Sequence, residues 1–158
     1  MSATQEDGAK VHSHDVEPYR IGMLGDLPGP CNESMRAGLT LAFEEYVGKG
    51  VGDRPIELVE REYVSHPWRS GHPNIEAYVD LVENERVLAV SGPMTTDNCL
   101  SLLPHLDRYK VPSIGIAGTQ RYVGDYAFLL PNGGMADEPA TIAAWLVEQG
   151  HKRVAFIR

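Results

Sequence analysis

The amino-acid sequence predicts an α/β fold built on a doubly wound parallel sheet. Two observations carry this. Short apolar runs alternate with longer stretches of helical period, and each apolar run ends in a turn rich in Gly or Thr. That alternation calls for parallel strands joined by right-handed helical crossovers. With 158 residues, 42% hydrophobic and 23% charged, the chain is long enough to enclose one core of ordinary composition.

Residues 1–17 are polar and read as a flexible tail. Tyr19 to Leu24 is the first expected strand, and Gly25-Asp26-Leu27-Pro28-Gly29-Pro30 a loop, because Gly and Pro crowd it. A helix is expected over Glu33 to Val47, with Met35, Leu39, Ala42, Phe43 and Tyr46 on its core stripe and Gly48 and Gly50 beyond its end. Ile56 to Tyr63 follows as a strand that buries Ile56, Leu58 and Val59. After a loop through His66, Trp68 and Pro73, a helix runs from Asn74 to about Glu85, with Ile75, Tyr78, Val79 and Val82 on one face.

Val87 to Val90 is short, continuous and apolar, as a central parallel strand should be. The next helix carries Leu100, Leu103 and Leu106 inward, with Pro104 expected to bend or shorten it. Val111 to Ile116 is a strand, Ala127 to Leu130 a fifth, and Asn132-Gly133-Gly134 a linker. Asp137 then caps a helix with Pro139 in its first turn, apolar Ile142, Trp145 and Leu146, and Gly150 as its stop. Arg153 to Arg158 reads as a buried strand, so the chain is expected to stop in mid-pattern, as a truncated α/β protein does.

A net charge of -8 without a basic cluster excludes nucleic acid and disfavours an anionic membrane surface. No segment approaches the roughly 20 apolar residues of a membrane span, so no direct membrane insertion is expected. Met1 to Glu17 lacks the apolar core of a signal peptide. The chain as written is therefore expected in the cytoplasm, and outside it if a leader is missing. Cys31 and Cys99 have no CxxC partner; both fall near the carboxyl edge of the sheet, and whether they pair is open.

Ligands of an open parallel sheet bind outside the carboxyl ends of its strands. That rule selects the turns Gly25 to Glu33, Ser91 to Asn98, and Ala117 to Gln120. Thr95, Thr96 and Thr119 offer hydroxyls there, Gly92 and Gly118 allow close approach to the backbone, and free N–H groups near Thr96 favour an anion. The same residue types cap helices in any α/β fold, and spacing leaves both readings open. Other constellations are weaker. Gly22-Met23-Leu24-Gly25 falls short of GxGxxG, and Pro28 and Pro30 obstruct a helix turn there. His12, His14, His66 and His72 read as surface residues without a metal, and Trp68 and Trp145 as packing residues. No basic partner for a nucleophilic Cys is identifiable, and Asp26, Asp97 and Asp125 show no pairing.

Several stretches in order, namely Arg36 to Ala42, Gly50 to Leu58, Val87 to Pro93, Tyr109 to Ile114 and Gly150 to Ala155, resemble the type I periplasmic binding proteins. The likeness runs from about Tyr19 onward and points to the leucine/isoleucine/valine- and amide-binding branch. It implies two α/β lobes that close on a small ligand like a clamshell. It also implies that a ligand carboxylate is held after the third strand, at Thr95 and Thr96, and an amino group after the fourth, at Ala117, Gly118 and Thr119. On this basis residues 18–131 form a first lobe without its C-terminal return segment. Residues 132–158 form the hinge and the start of a truncated second lobe. The expected protein is a non-catalytic solute-binding component of an ABC transporter, or a related sensor. It takes an amino acid or amide, needs no cofactor, and works with transporter membrane subunits or a regulatory protein. The loop from Val64 to Pro73 is longer than the family usually has, and the lack of a leader suits cytoplasmic amide-sensing relatives better than an exported receptor. Two other readings stay open: an enzyme that takes a nucleotide or phosphate at the same turns, and a non-functional fragment.

Overall fold

The computed structural model describes residues 17–27, 30–47, 54–64, 72–131, 134 and 137–155. Five strands form one sheet: β1 (Tyr19–Leu27), β2 (Ile56–Val64), β3 (Ala89–Ser91), β4 (Ser113–Ala117) and β5 (Ala127–Pro131). Every pairing is parallel, and the spatial order is β2-β1-β3-β4-β5. The helices are α1 (Pro30–Val47), α2 (His72–Glu83), α3 (Thr96–Tyr109) and α4 (Glu138–Glu148), with a 3₁₀ turn at Gln120–Tyr122.

Strand alternation shows that helices lie on both faces of the sheet. Successive side chains of a strand point to opposite faces. Arg36 of α1 donates to Glu60 at 2.8 Å and also pairs with Glu62, whereas the intervening Arg61 pairs with Asp80 of α2 and with Glu85. Thus α1 lies on one face and α2 on the other, as the doubly wound prediction requires. On the α2 face, Leu24, Tyr63, Tyr78, Leu81, Val90, Cys99, Leu102, Leu106, Ala117 and Tyr122 pack into one core.

Polar atoms in this core are paired across elements. Tyr78 donates its hydroxyl to Val111 O at 2.9 Å, and Tyr122 donates to Ser113 Oγ at 2.8 Å. Ser113 in turn donates to Gly92 O, so the 3₁₀ turn, the start of β4 and the end of β3 share one buried chain of hydrogen bonds. Gly115 makes this packing possible. A Cβ there would fall 2.6 Å from the Tyr122 ring and 2.7 Å from Cys99 Sγ.

Several expectations are corrected by the fold. The supposed loop at Gly25-Asp26-Leu27 is strand, because these residues pair with Glu62, Tyr63 and Val64. A ladder supplied by a distant segment outweighs local turn preference. In α3 the buried positions are Asn98, Cys99, Leu102 and Leu106, while Leu100 and Leu103 are only partly covered. Helix α3 is thus rotated from the expected stripe, since its first turn presses Asn98 and Cys99 against the sheet. Pro104 does not shorten α3; it sits exposed within a helix that runs on to Tyr109.

Ala42 and Tyr46 of α1 are exposed, and Ile56, Leu58 and Val59 of β2 are half-buried rather than buried. In α4 no residue is buried, and Ile142 and Trp145 are each 56% exposed, so Trp145 does not pack. Asp137 precedes α4 but makes no side-chain capping bond. Arg153 to Ala155 are exposed and outside the sheet, correcting the expectation of a buried strand there, whereas residues 156–158 lie outside the described residues. So do residues 1–16 of the tail, the Gly48 and Gly50 stop, the loop with His66 and Trp68, and Asn132-Gly133.

Two outcomes follow from the core. Gly115→Ala must displace Tyr122 or Cys99 and should cost about 1–3 kcal/mol, read as a lower denaturation midpoint at unchanged slope. The second concerns pH. Burial pushes the Cys99 thiol up to about 12 from its ordinary value near 9, and pushes the phenols of Tyr63, Tyr78 and Tyr122 well above theirs. The unfolded chain therefore releases these protons at a pH where the folded chain keeps them. Stability should be fully present below about pH 9 and fall as pH rises from there toward 12. A melting temperature that stays level from pH 9 to 11 in scanning calorimetry would contradict this.

Candidate functional site

In a parallel sheet every strand ends at the same edge, so the turns after β1, β3 and β4 converge there. The turn after β3 begins at Gly92, whose φ of +104° suits glycine and where a Cβ would fall 2.8 Å from Leu24 O. This close approach seats the β3–α3 turn directly against the end of β1.

The turns after β3 and β4 are stitched together by backbone. Gly92 N donates to Ile114 O at 2.8 Å, and Ile116 N donates to Pro93 O at 2.8 Å. Thr96 completes the seam, its Oγ1 accepting the Gly118 N–H at 3.1 Å. Of the five candidate residues, Thr95, Thr96, Ala117, Gly118 and Thr119, the structure therefore brings all into two adjoining turns.

Their chemical commitments differ. Thr95 is the N-cap residue of α3, with extended φ and ψ of -120° and 146°, yet its hydroxyl makes no capping bond. It stands beside the N–H groups of the first helical turn, which have no intrahelical acceptor and carry the positive end of the helix dipole. Thr96 is engaged with Gly118. Ala117 is fully buried. Thr119 caps the 3₁₀ turn, accepting from Arg121 N at 3.3 Å. The capping alternative thus holds for Thr119 and does not hold for the Thr95 side chain.

Below this surface lies a polar cluster that sequence reasoning missed. Asn98, in the first turn of α3, donates from Nδ2 to Asp26 Oδ2 at 3.3 Å. Asn74 at the start of α2 donates to Asn98 O at 3.0 Å. Tyr63 is the ladder partner of Asp26. Burial first and the Asp26 carboxylate second raise its phenol pKa, and the neighbouring Asn98 side chain opposes the rise. The only signal in the sequence was Asp26 at the end of a strand. Tyr63, its ladder partner, and Asn98, which donates to it, lie 37 and 72 residues along the chain, a relation that no local spacing carries.

Cys99 is buried, with Sγ 3.5 Å from Pro93 O and 3.6 Å from Ile116 O, and its raised pKa keeps it a thiol. It is packed, not poised as a nucleophile. The Cys31 side chain lies outside the described residues. Asp97, in α3, and Asp125, between the 3₁₀ turn and β5, are exposed. Among the described residues no group of three His, Cys, Asp or Glu side chains is placed to hold a metal ion, and no helix is long and apolar enough to cross a membrane.

Comparison with known proteins completes the description. No curated protein sequence matches the chain. Similar solved structures include LivJ from Streptococcus pneumoniae, a branched-chain amino acid transporter substrate binding protein in complex with isoleucine. It shows 20% identity and a TM-score of 0.62, over 75% of this chain and 34% of that one. An ABC transporter solute binding protein from R. palustris, in complex with 4-hydroxybenzoate, shows 22% identity and a TM-score of 0.69, over 88% and 38%. A fatty acid ABC transporter substrate-binding protein from Thermomonospora curvata shows 22% and 0.68, over 85% and 34%. At these identities the likeness is one of fold, and this chain spans 34–38% of their lengths. The profile of the family described as periplasmic binding protein matches residues 18–158, and the chain belongs to that family.

Proposed function

We propose that this chain supplies the first lobe of a clamshell binding protein that captures a small carboxylate-bearing solute for an ABC transporter. The observation that carries it is the pair of stitched turns at the carboxyl edge. The α3 N-terminus offers N–H groups and the Thr95 hydroxyl, which does not cap the helix, while the bond from Gly118 to Thr96 fixes the neighbouring turn. Such a site suits an anion, because the donors are preorganised and the helix dipole favours negative charge. Isoleucine, 4-hydroxybenzoate and fatty acids, named with the similar structures, share a carboxylate and little else.

In this reading the carboxylate lies at Thr95 and the first turn of α3, and Thr96 shapes the site through Gly118. The Ala117–Thr119 turn faces the rest of the ligand, and an amino acid or amide would place its amino group there. Residues 18–131 form the lobe, and residues 132–158 lead toward a second. Closure of the two lobes would expel water and present the loaded protein to membrane subunits. Binding without chemistry is the expected activity, and the family description, periplasmic binding protein, supports a location outside the cytoplasm. A nucleotide-using enzyme is the alternative, distinguished by its ligands.

Titration calorimetry tests this in the protein carrying both lobes, against branched-chain amino acids, hydroxybenzoates, fatty acids and nucleotides. One acid class should bind and nucleotides should not. Thr95→Val removes one hydrogen bond to a charged group and should weaken binding by roughly tenfold to a hundredfold. Unchanged affinity would remove Thr95 from the site, and binding of nucleotides alone would overturn the reading.

A further inference from the structure

At the edge of the sheet opposite the candidate site, where β1, β2 and β3 begin, lies a cavity of about 180 Å³. Three arginines line it, Arg20, Arg54 and Arg86, in a chain whose net charge is -8. Two glutamates, Glu17 and Glu85, share the lining. The arginines differ in what they have left to offer. Arg20 is committed: its Nε donates to Glu57 at 3.0 Å, and its Nη1 donates to Glu85 O at 3.3 Å and lies 3.5 Å from the Glu85 carboxylate. Glu85 is committed as well, shared between Arg20 and Arg61. Arg54 is held in place yet keeps donors free. Its Nε donates to Glu17 O at 2.8 Å and its guanidinium lies 4.2 Å from the centre of the Tyr19 ring, so both terminal nitrogens lack an acceptor among the described residues. The Arg86 side chain has no ion pair or hydrogen bond among the described residues. The end of α2 fixes its position, because Val87 N donates to Leu81 O at 3.2 Å around a left-handed Arg86 with φ +55°.

We propose that this cavity is a second ligand site, one that takes a small oxyanion with two negative charges, a phosphate or a dicarboxylate. Arg54 and Arg86 bind it. A guanidinium presents paired N–H donors in a plane, which match paired oxygens of a phosphate or carboxylate. Two uncommitted guanidinium groups call for two charges. Arg54 is preorganised by Glu17 O and the Tyr19 ring, which lowers the entropy lost when a ligand binds. The cavity is smaller than the roughly 300–1,000 Å³ of sites for drug-sized ligands, so it suits a compact ion. Of the two glutamates, Glu85 is already neutralised by arginines, and Glu17 is exposed, where solvent screens its charge. This site lies at the edge away from the α3 N-terminus and does not depend on which solute that end takes.

Titration calorimetry at low ionic strength, on the protein carrying both lobes, tests this with inorganic phosphate and with succinate. Saturable binding of at least one is expected, and the one that binds identifies the ligand class. Binding of neither overturns the proposal. Arg54→Gln and Arg86→Gln should each weaken binding by about tenfold. Arg86 is exposed, so its variant should keep the wild-type melting temperature and report on binding alone. Arg153→Gln removes the same charge at an exposed position outside the cavity and should leave the affinity unchanged. Equal weakening by Arg153→Gln would reveal diffuse attraction and overturn the site. Weakening by Thr95→Val, with none from the two cavity variants, would move the anion to α3 and overturn it as well.

Discussion

A parallel sheet imposes one constraint on which the rest of this structure depends: every strand delivers its chain to the same edge. The order β2-β1-β3-β4-β5 places β1 and β3 side by side at the centre, and β3 beside β4. Helices on both faces must then return the chain to the opposite edge before the next strand begins. The end of β1 and the turns after β3 and β4 are thereby neighbours, although they lie tens of residues apart. Chemistry at that edge is decided by which of their polar groups remain uncommitted once the turns have been packed together.

Packing commits most of them. Gly92 lets the β3–α3 turn press against β1, Gly115 lets Tyr122 and Cys99 share one space, and the Ser113–Gly92 bond ties the two strands beneath. The Thr96 hydroxyl and the Gly118 N–H satisfy each other. The Thr95 side chain, by contrast, makes no capping bond at the N-terminal end of α3.

The two faces of the sheet are not equally finished. Helices α2 and α3 enclose a core on one side, where the Tyr78 and Tyr122 hydroxyls are satisfied at the entry to β4. On β4 and β5, Ile114, Phe128 and Leu130 are exposed at 46%, 51% and 55%, and α4 buries no residue. Among the described residues, no helix covers these apolar side chains as α2 and α3 cover the other face. The similar structures are a little over twice as long as this chain.

Much of the fold was legible because it is written in local period. The runs at Tyr19, Ile56, Val111 and Ala127 and the helical stripe at Ile75, Tyr78, Val79 and Val82 each need only their own neighbours to be recognised, and all five strands and four helices follow in the expected order. The Thr- and Gly-rich turns were legible for the same reason, and the strand-end rule put them on one edge. What only the tertiary structure decided are the relations that cross the sheet. Asp26 belongs to β1 because Tyr63 lies opposite it; α3 turns Asn98 inward because Asp26 and Asn74 await it there. Thr95 differs from Thr119 not in residue type but in whether a nearby N–H claims its hydroxyl. The sequence by itself determined which segments can be strands, helices and turns, since backbone preference and apolar period are local properties. Which polar groups are spent in holding the turns, and which are left for a ligand, depends on atoms far apart in the chain and is settled only by packing.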